Sequence, residues 1–339
     1  MVRRLALALT LGLAASAAAA QTGAPSWVLP DVLAAARAEG SFNVYSSVNE
    51  QEGLPLWQEF EKATGIKVNY TRANDAALTS KILIEARSGQ QGWDLLMTTS
   101  VTRLPPALRA QLDIPEAAAI PEEMRDKDRR WFGIYANYNT PAYNTNLVKL
   151  DKPPKDFEEF LTHKEWIGKV GIDALEFPWA SSIIKHYGEE KGDKLLKQFF
   201  AEFKPTPVDG HLALARAVAA GEYAVTINNY VNLTNNLKMT GAPTEYWGQT
   251  PAAILLGQLA ANPKAPHPNS ARLAANFLLS KEGQTAVARF GRLPLRKDAA
   301  TVPPDALARM GDAKIMTLEF SPEEEKLWQK RYQDYLRGR

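Results

Sequence analysis

Asn228, Asn229 and Tyr230 stand side by side at the end of an apolar run, Ala224-Val225-Thr226-Ile227. They offer two amides and a phenol in one place, groups that hydrogen-bond a polar solute and, for an ionised phenol, ligate a hard cation. The run reads as a short buried strand. The helix before it, Leu212 to Ala220, stops at Gly221, as a left-handed helix cap requires. In an open α/β sheet, ligands sit outside the carboxyl ends of strands, so the stretch reads as a device for delivering ligand-binding groups. Taken alone, the same three residues are also what an ordinary turn contains.

The elements that must position these groups recur along the chain. Phe42–Tyr45, Ile66–Tyr70 and Trp93–Met97 read as strands, separated by helical patterns over Leu54–Ala63 and Leu78–Ala86. Strand, helix, strand in this order describes a βαβ sheet. Each strand ends in polar residues. Ser46, Ser47 and Asn49 follow the first, and Thr98 and Thr99 follow the third; Arg72 follows the second and offers a bidentate clamp for a carboxylate or phosphate. Such loops at helix N-termini make an anion cradle, although Ser, Thr and Asn also simply cap helices and Arg72 also suits a solvated loop. The extended segment Trp131 to Asn146, which carries Asn139, has few helix formers and reads as a crossing between two lobes. A new strand over Val170–Asp173 leads to Glu176 and Trp179, where a second lobe should face the cleft. Trp179 could stack on a ligand ring or lie in the core, and Glu176 would repel an anion and favour an amine. Helices are expected at Asp156–Leu161, Ser181–Tyr187, Lys191–Phe203, Ser270–Leu279, Glu282–Phe290 and Pro322–Leu336.

The N-terminus has the three parts of a secretory signal peptide: Arg3-Arg4, the apolar Leu5–Ala15, and Ala18-Ala19-Ala20 before Gln21. The apolar run is short of the roughly 20 residues that a membrane span needs. With no Cys in the chain, a lipid anchor, thiol nucleophiles, disulfides and thiolate metal sites are excluded, and the expected location is the periplasm. The 40 Lys and Arg, less Arg3 and Arg4, balance the 38 Asp and Glu, so no basic surface argues for nucleic acid. The sequence holds no Gly-x-Ser-x-Gly elbow, His-Glu-x-x-His helix, phosphate-binding loop or dinucleotide fingerprint. Its four His are scattered, with His211 at the start of the helix before the Asn-Asn-Tyr stretch. A binding protein, not an enzyme, is therefore expected.

Several motifs in order resemble the extracellular solute-binding proteins of ABC importers, nearest their ferric-ion-binding branch. They are Tyr45–Asn49, Phe60-Glu61-Lys62-Ala63-Thr64-Gly65-Ile66-Lys67-Val68, Tyr143-Asn144-Thr145, Trp166–Val170, Ala219-Ala220-Gly221-Glu222, Ala265–Arg272 and Leu278–Gln284. The resemblance implies an α/β, two-lobed periplasmic-binding-protein clamp of type II, with its ligand cleft between lobes joined by hinge strands. The expected division is a signal peptide over 1–20, a first lobe from 21–138 plus 248–300, a second from 139–247, and a C-terminal helical segment over 301–339. It also implies a membrane permease as partner, a small-molecule solute as ligand, no cofactor, and a monomer; a sensor without transport is the alternative. In the ferric branch iron is held by one His, one Glu and two adjacent Tyr. Those positions fall here on Asn49, near Thr99, and on Tyr230-Val231, so only Tyr230 remains, with Tyr135, Tyr138 and Tyr143 as further phenols. The resemblance places Asn228 at an amide position that helps hold an oxyanion. An organic or anionic solute is thus expected ahead of bare Fe³⁺, which stays the alternative cargo. The expected ligand-binding residues are Ser46, Ser47, Asn49, Arg72, Thr98, Thr99, Asn139, Glu176, Trp179, Asn228 and Tyr230.

Overall fold

Two sheets share one long strand, and that sharing places everything else. The computed structural model describes residues 25–338, so the signal-peptide reading lies outside the described residues. The first half alternates α1 (Pro30–Glu39), β1 (Ser41–Ser46), α2 (Glu50–Thr64), β2 (Lys67–Arg72), α3 (Asp75–Ser88) and β3 (Leu95–Thr98). Single-turn 3-10 helices then lead into β4 (Phe132–Asn144). Next come α4 (Phe157–Phe160), β5 (Val170–Asp173), α5 (Phe177–Tyr187), α6 (Glu189–Phe203), β6 (Thr206–Val208), α7 (His211–Ala220) and β7 (Val225–Tyr230). The chain closes with α8 (Val231–Met239), β8 (Thr244–Tyr246), β9 (Ala252–Ala261), α9 (Pro268–Leu279), α10 (Lys281–Ala288), β10 (Leu293–Pro294), β11 (Ile315–Thr317) and α11 (Pro322–Leu336).

In the first sheet the strand order is β2-β1-β3-β9-β4, with β1 parallel to both neighbours and β9 antiparallel to β3 and β4. The second runs β4-β7-β5-β6, with β5 parallel to β6 and β7. Strand β4 therefore belongs to both. Up to Tyr138 it pairs with β9, and from Asn139 it pairs with β7, Asn139 lying opposite Tyr230. Pro141 has no N–H to give to a ladder, and the register with β7 shifts between Thr140 and Ala142, where a bulge accommodates it.

Each sheet carries its own core. Trp27, Phe42, Trp57, Phe60 and Phe277 fill the first, with Trp27 and Phe277 rings 4.8 Å apart. Phe157, Phe160, Trp166, Trp179, Phe199 and Phe203 fill the second. Fully burying an aromatic of this size is worth about 1.5–3 kcal/mol, so each lobe has the means to hold itself together. The helix before β7 ends as its sequence predicts, with Gly221 in the left-handed region at φ 83°.

Among the boundaries that differ from expectation, two bear on the site. Residues 301–339 are not a separate helical segment: Ala306 and Met310 lie in the first core, β11 pairs with β9 of the first sheet, and Tyr332 and Tyr335 of α11 lie in the second core. The C-terminal stretch thus joins the lobes once more, after β4 and the segment between β8 and β9. Helix α3 starts at Asp75, a turn earlier than its apolar periodicity suggests, because Asn74 caps it by accepting the Ala77 N–H at 2.8 Å.

Candidate functional site

The carboxyl ends of β3, β5 and β7 converge on a cavity of about 220 Å³ between the two sheets. That is below the roughly 300–1,000 Å³ of sites for drug-sized ligands, and it suits an ion with a small co-ligand or a short organic solute. Its polar wall includes Asp75, Thr99, Ser100, Arg103 and Glu325, together with Asn139, Glu176 and Tyr230. Leu175, Phe177, Pro178, Ile254, Leu318 and Phe320 supply most of the apolar wall.

On the first lobe, Asp75 sits at the first position of α3, where the helix dipole favours a carboxylate. The Thr98 and Thr99 hydroxyls each donate to one of its oxygens. Both threonines fix the carboxylate that faces the cavity; Thr99 also lines the cavity, as expected of a ligand-binding residue, whereas Thr98 stands behind it.

On the second lobe, Glu176 stands at the N-cap of α5, almost wholly buried. Its Oε2 accepts from the Tyr230 hydroxyl at 3.0 Å and lies 2.9 Å from His211 Nε2. The His211 and Tyr230 rings lie 4.1 Å apart, and His211 Nδ1 stands 3.8 Å from the buried Asp173 Oδ2. Burial, reinforced by the Glu176 charge, pushes the Tyr230 phenol well above its ordinary value, so the empty protein holds it protonated. Burial also raises Asp173. For His211, burial opposes the charged ring, but the hydrogen bond and charge of Glu176, with Asp173 behind, outweigh it and raise the imidazole above 6.5.

A histidine raised on folding stabilises fully below its unfolded value and loses that contribution as pH rises through the folded one. The empty protein should therefore lose stability as pH climbs from 6.5 through the raised value, and His211→Gln should flatten this part of the profile. The difference expected in melting temperature between pH 6 and pH 9 is on the order of a few °C. Parallel profiles for the two proteins would contradict the pairing.

Asn139 shows why the junction matters. Its Nδ2 reaches the Asn228 carbonyl at 3.4 Å, while its buried Oδ1 has no partner. An unpaired buried acceptor costs about 1–3 kcal/mol, and this one belongs to a residue of the cavity wall.

The other expected residues lie elsewhere. Ser46 is fully buried and its Oγ accepts the Val48 N–H; Ser47 gives its backbone N–H to Met97, and neither lines the cavity. Asn49 and Arg72 are exposed and meet each other at 3.3 Å. Trp179, only 2% exposed, packs edge-on against Phe157 and Phe199, so of the two roles read for it the core position holds and its place among the ligand-binding residues does not. Asn228 is a larger correction. Strand β7 runs on through Tyr230, which leaves Asn228 inside the lobe at 0% exposure. Its Oδ1 accepts the Asp173 N–H at 2.8 Å and its Nδ2 donates to Tyr332 Oη at 3.1 Å.

Asn228→Ala would strand a buried N–H and weaken the hold of α11. The expected cost is about 2–3 kcal/mol in denaturant unfolding, with cargo affinity of the folded protein within about twofold of the parent. A large affinity loss without a stability loss would restore Asn228 to the site.

Sequence reading missed Asp75, Arg103 and Glu325. The Asn74-Asp75 pair is itself a helix-start signal and could have revealed the first; the other two meet from positions 222 residues apart. Among the described residues, no three His, Asp or Glu side chains are gathered closely enough to hold a metal ion. A cation held here would need the Tyr230 oxygen and donors from both lobes.

A two-lobed α/β architecture with a polar cavity between lobes joined by a shared strand is that of the periplasmic binding proteins. Residues 56–312 match the bacterial extracellular solute-binding protein family, and the chain belongs to it. It is 29% identical over 196 residues to iron uptake protein A1 of Synechocystis, an alignment covering 55% of this chain and 53% of that protein. The chain spans about half the length of the curated relatives it matches. Among solved structures, iron-bound HitA of Pseudomonas aeruginosa superposes with a TM-score of 0.70 at 23% identity, over 87% of this chain and 99% of that one. The Trichodesmium protein in complex with iron and citrate superposes at 0.68 with 20% identity, over 88% and 98%. At these identities the two structures carry the fold.

Proposed function

We propose that this chain is the solute-binding component of an ABC importer, that it works in the periplasm, and that its cargo is the ferric ion. The observation that carries the reading is the charge and chemistry of the cavity wall. Asp75, Glu176 and Glu325 face it against the single guanidinium of Arg103, and Tyr230 adds an ionisable oxygen. An excess of anionic oxygen is what a hard, highly charged cation requires, and it disfavours an anionic solute. Iron binding by the relatives supports the same choice, so support falls on the alternative cargo, ahead of the organic or anionic solute that the sequence places first. Asp75 from one lobe and Glu176 with Tyr230 from the other would be bridged by the ion, and ligand contact with both lobes shifts the population toward the closed clamp. The permease would receive the closed form. No helix among the described residues is long and apolar enough to cross a membrane.

A second reading is favoured by the apolar wall. Phe177 and Phe320, with rings 5.2 Å apart, and Leu318 could cover the body of a short organic cation whose ammonium meets Glu176 and Asp75. Titration with ferric nitrilotriacetate separates the two. Iron cargo predicts a visible phenolate-to-iron band saturating at one equivalent. No band, with the chelate left intact, would remove the ferric reading.

A further inference from the structure

The C-terminal stretch is tied to both lobes and passes over the cavity. Strand β11 is paired to β9 on the first sheet, after which Leu318 and Phe320 line the cavity. A capping box then fixes the start of α11: Ser321 Oγ accepts the Glu324 N–H at 3.2 Å, and Glu324 Oε2 accepts the Ser321 N–H at 2.8 Å. The helix packs on α5 and α6, and Tyr332 anchors it in the second core through the Asp173 carbonyl at 2.6 Å. From its first turn Glu325 reaches back to the first lobe, where Oε2 accepts from Arg103 Nη2 at 2.5 Å. Arg103 lies in the turn just after Thr98-Thr99-Ser100, so both ends of this ion pair are cavity-lining side chains.

We propose that residues 315–336 form a strap over the cavity, and that the Arg103–Glu325 ion pair is the latch by which the strap holds the two lobes together. Strand β4 and the segment that joins β8 to β9 connect the lobes but leave the angle between them to weaker contacts. Of these, the ion pair is a charge-assisted bond between side chains anchored on different lobes. Opening the clamp must break it, while the backbone of the strap can follow by pivoting between β11 and the capped start of α11. The pair is partly exposed, with the Arg103 side chain at 43% and Glu325 at 21%, so it biases opening without blocking it. The latch acts in the empty protein and does not depend on the cargo being iron.

The test is a distance measurement between the lobes without cargo. The chain has no Cys, so Gln90→Cys on the first lobe and Glu190→Cys on the second can carry a fluorophore pair for single-molecule energy transfer. Glu325→Gln and Arg103→Gln should each raise the ratio of open to closed molecules by roughly two- to five-fold, the range for a partly exposed ion pair. The exchanged pair Arg103→Glu with Glu325→Arg should return the ratio toward the parent. Raising salt from 0.05 to 0.5 M should open the parent but not Glu325→Gln. Unchanged distances in both single variants, or an exchanged pair no better than the singles, would overturn the latch. Because no cargo is added, that outcome leaves the ferric reading untouched, and a failed iron titration leaves the latch untouched.

Discussion

Replacing Tyr230 with Phe should lower ferric-ion affinity by about 100-fold or more and abolish the visible band, with little change in fold. The phenylalanine ring keeps the volume beside His211, and the Glu176–His211 contact does not involve the lost hydroxyl. What disappears is an oxygen that becomes anionic only when a cation replaces its proton. Burial and Glu176 hold that proton firmly in the empty protein, so binding must expel it. The parent should therefore release one more proton per iron than the variant, measurable by calorimetry in buffers of different ionisation enthalpy. Groups that merely orient a metal ligand are worth 10–100-fold in affinity, so a direct donor should reach at least about the upper end of that range. An affinity within about threefold of the parent, with equal proton release, would place the cargo away from Tyr230.

Asp75→Asn should cost a similar factor for a different reason. Asp75 is the carboxylate that the first lobe brings to the cavity, so it supplies that lobe's grip on a bridging cation. At about 4 Å and an effective dielectric near 20, a unit charge is worth about 4 kcal/mol for each unit of cation charge. If two-thirds of that for a single unit survives rearrangement, the loss is about 100-fold. The amide oxygen still accepts from one threonine hydroxyl, and the amide NH2 can donate to the oxygen of the other, so unfolding stability should move by no more than about 1 kcal/mol. Competition against a ferric chelator measures the first effect and denaturant unfolding the second. Lost stability with unchanged affinity would make Asp75 a structural residue.

Much of the framework could be read from residue order. The alternating βαβ pattern, the extended crossing that became β4, the cap at Gly221 and the delivery of Tyr230 by β7 are all local features, set by periodicity and by backbone preferences. The charged wall could not be read so well, because it depends on partners distant in sequence. Trp179 looked available until Phe157 and Phe199 enclosed it. Asn228 was displaced from the cleft by Tyr332, which lies 104 residues further on. Thr98 and Thr99 were found at the right place, Thr99 in the cavity wall, and both hold an Asp75 that apolar periodicity had left outside its helix. The same cause explains the ranking of cargoes. With Glu176 the one carboxylate read into the cleft and Tyr230 the one phenol matching an iron-ligand position, the site looked too poor in anionic oxygen for iron. Asp75 and Glu325, with Glu176, make it acidic.

Native mass spectrometry of the protein taken gently from its source cells, compared with the same sample denatured, tests the central claim most directly. The account predicts a mass difference of one iron, alone or with a small co-ligand, lost on denaturation and absent from Tyr230→Phe. A bound organic mass without iron would contradict it, and would assign Asp75 and Glu176 to an organic cation.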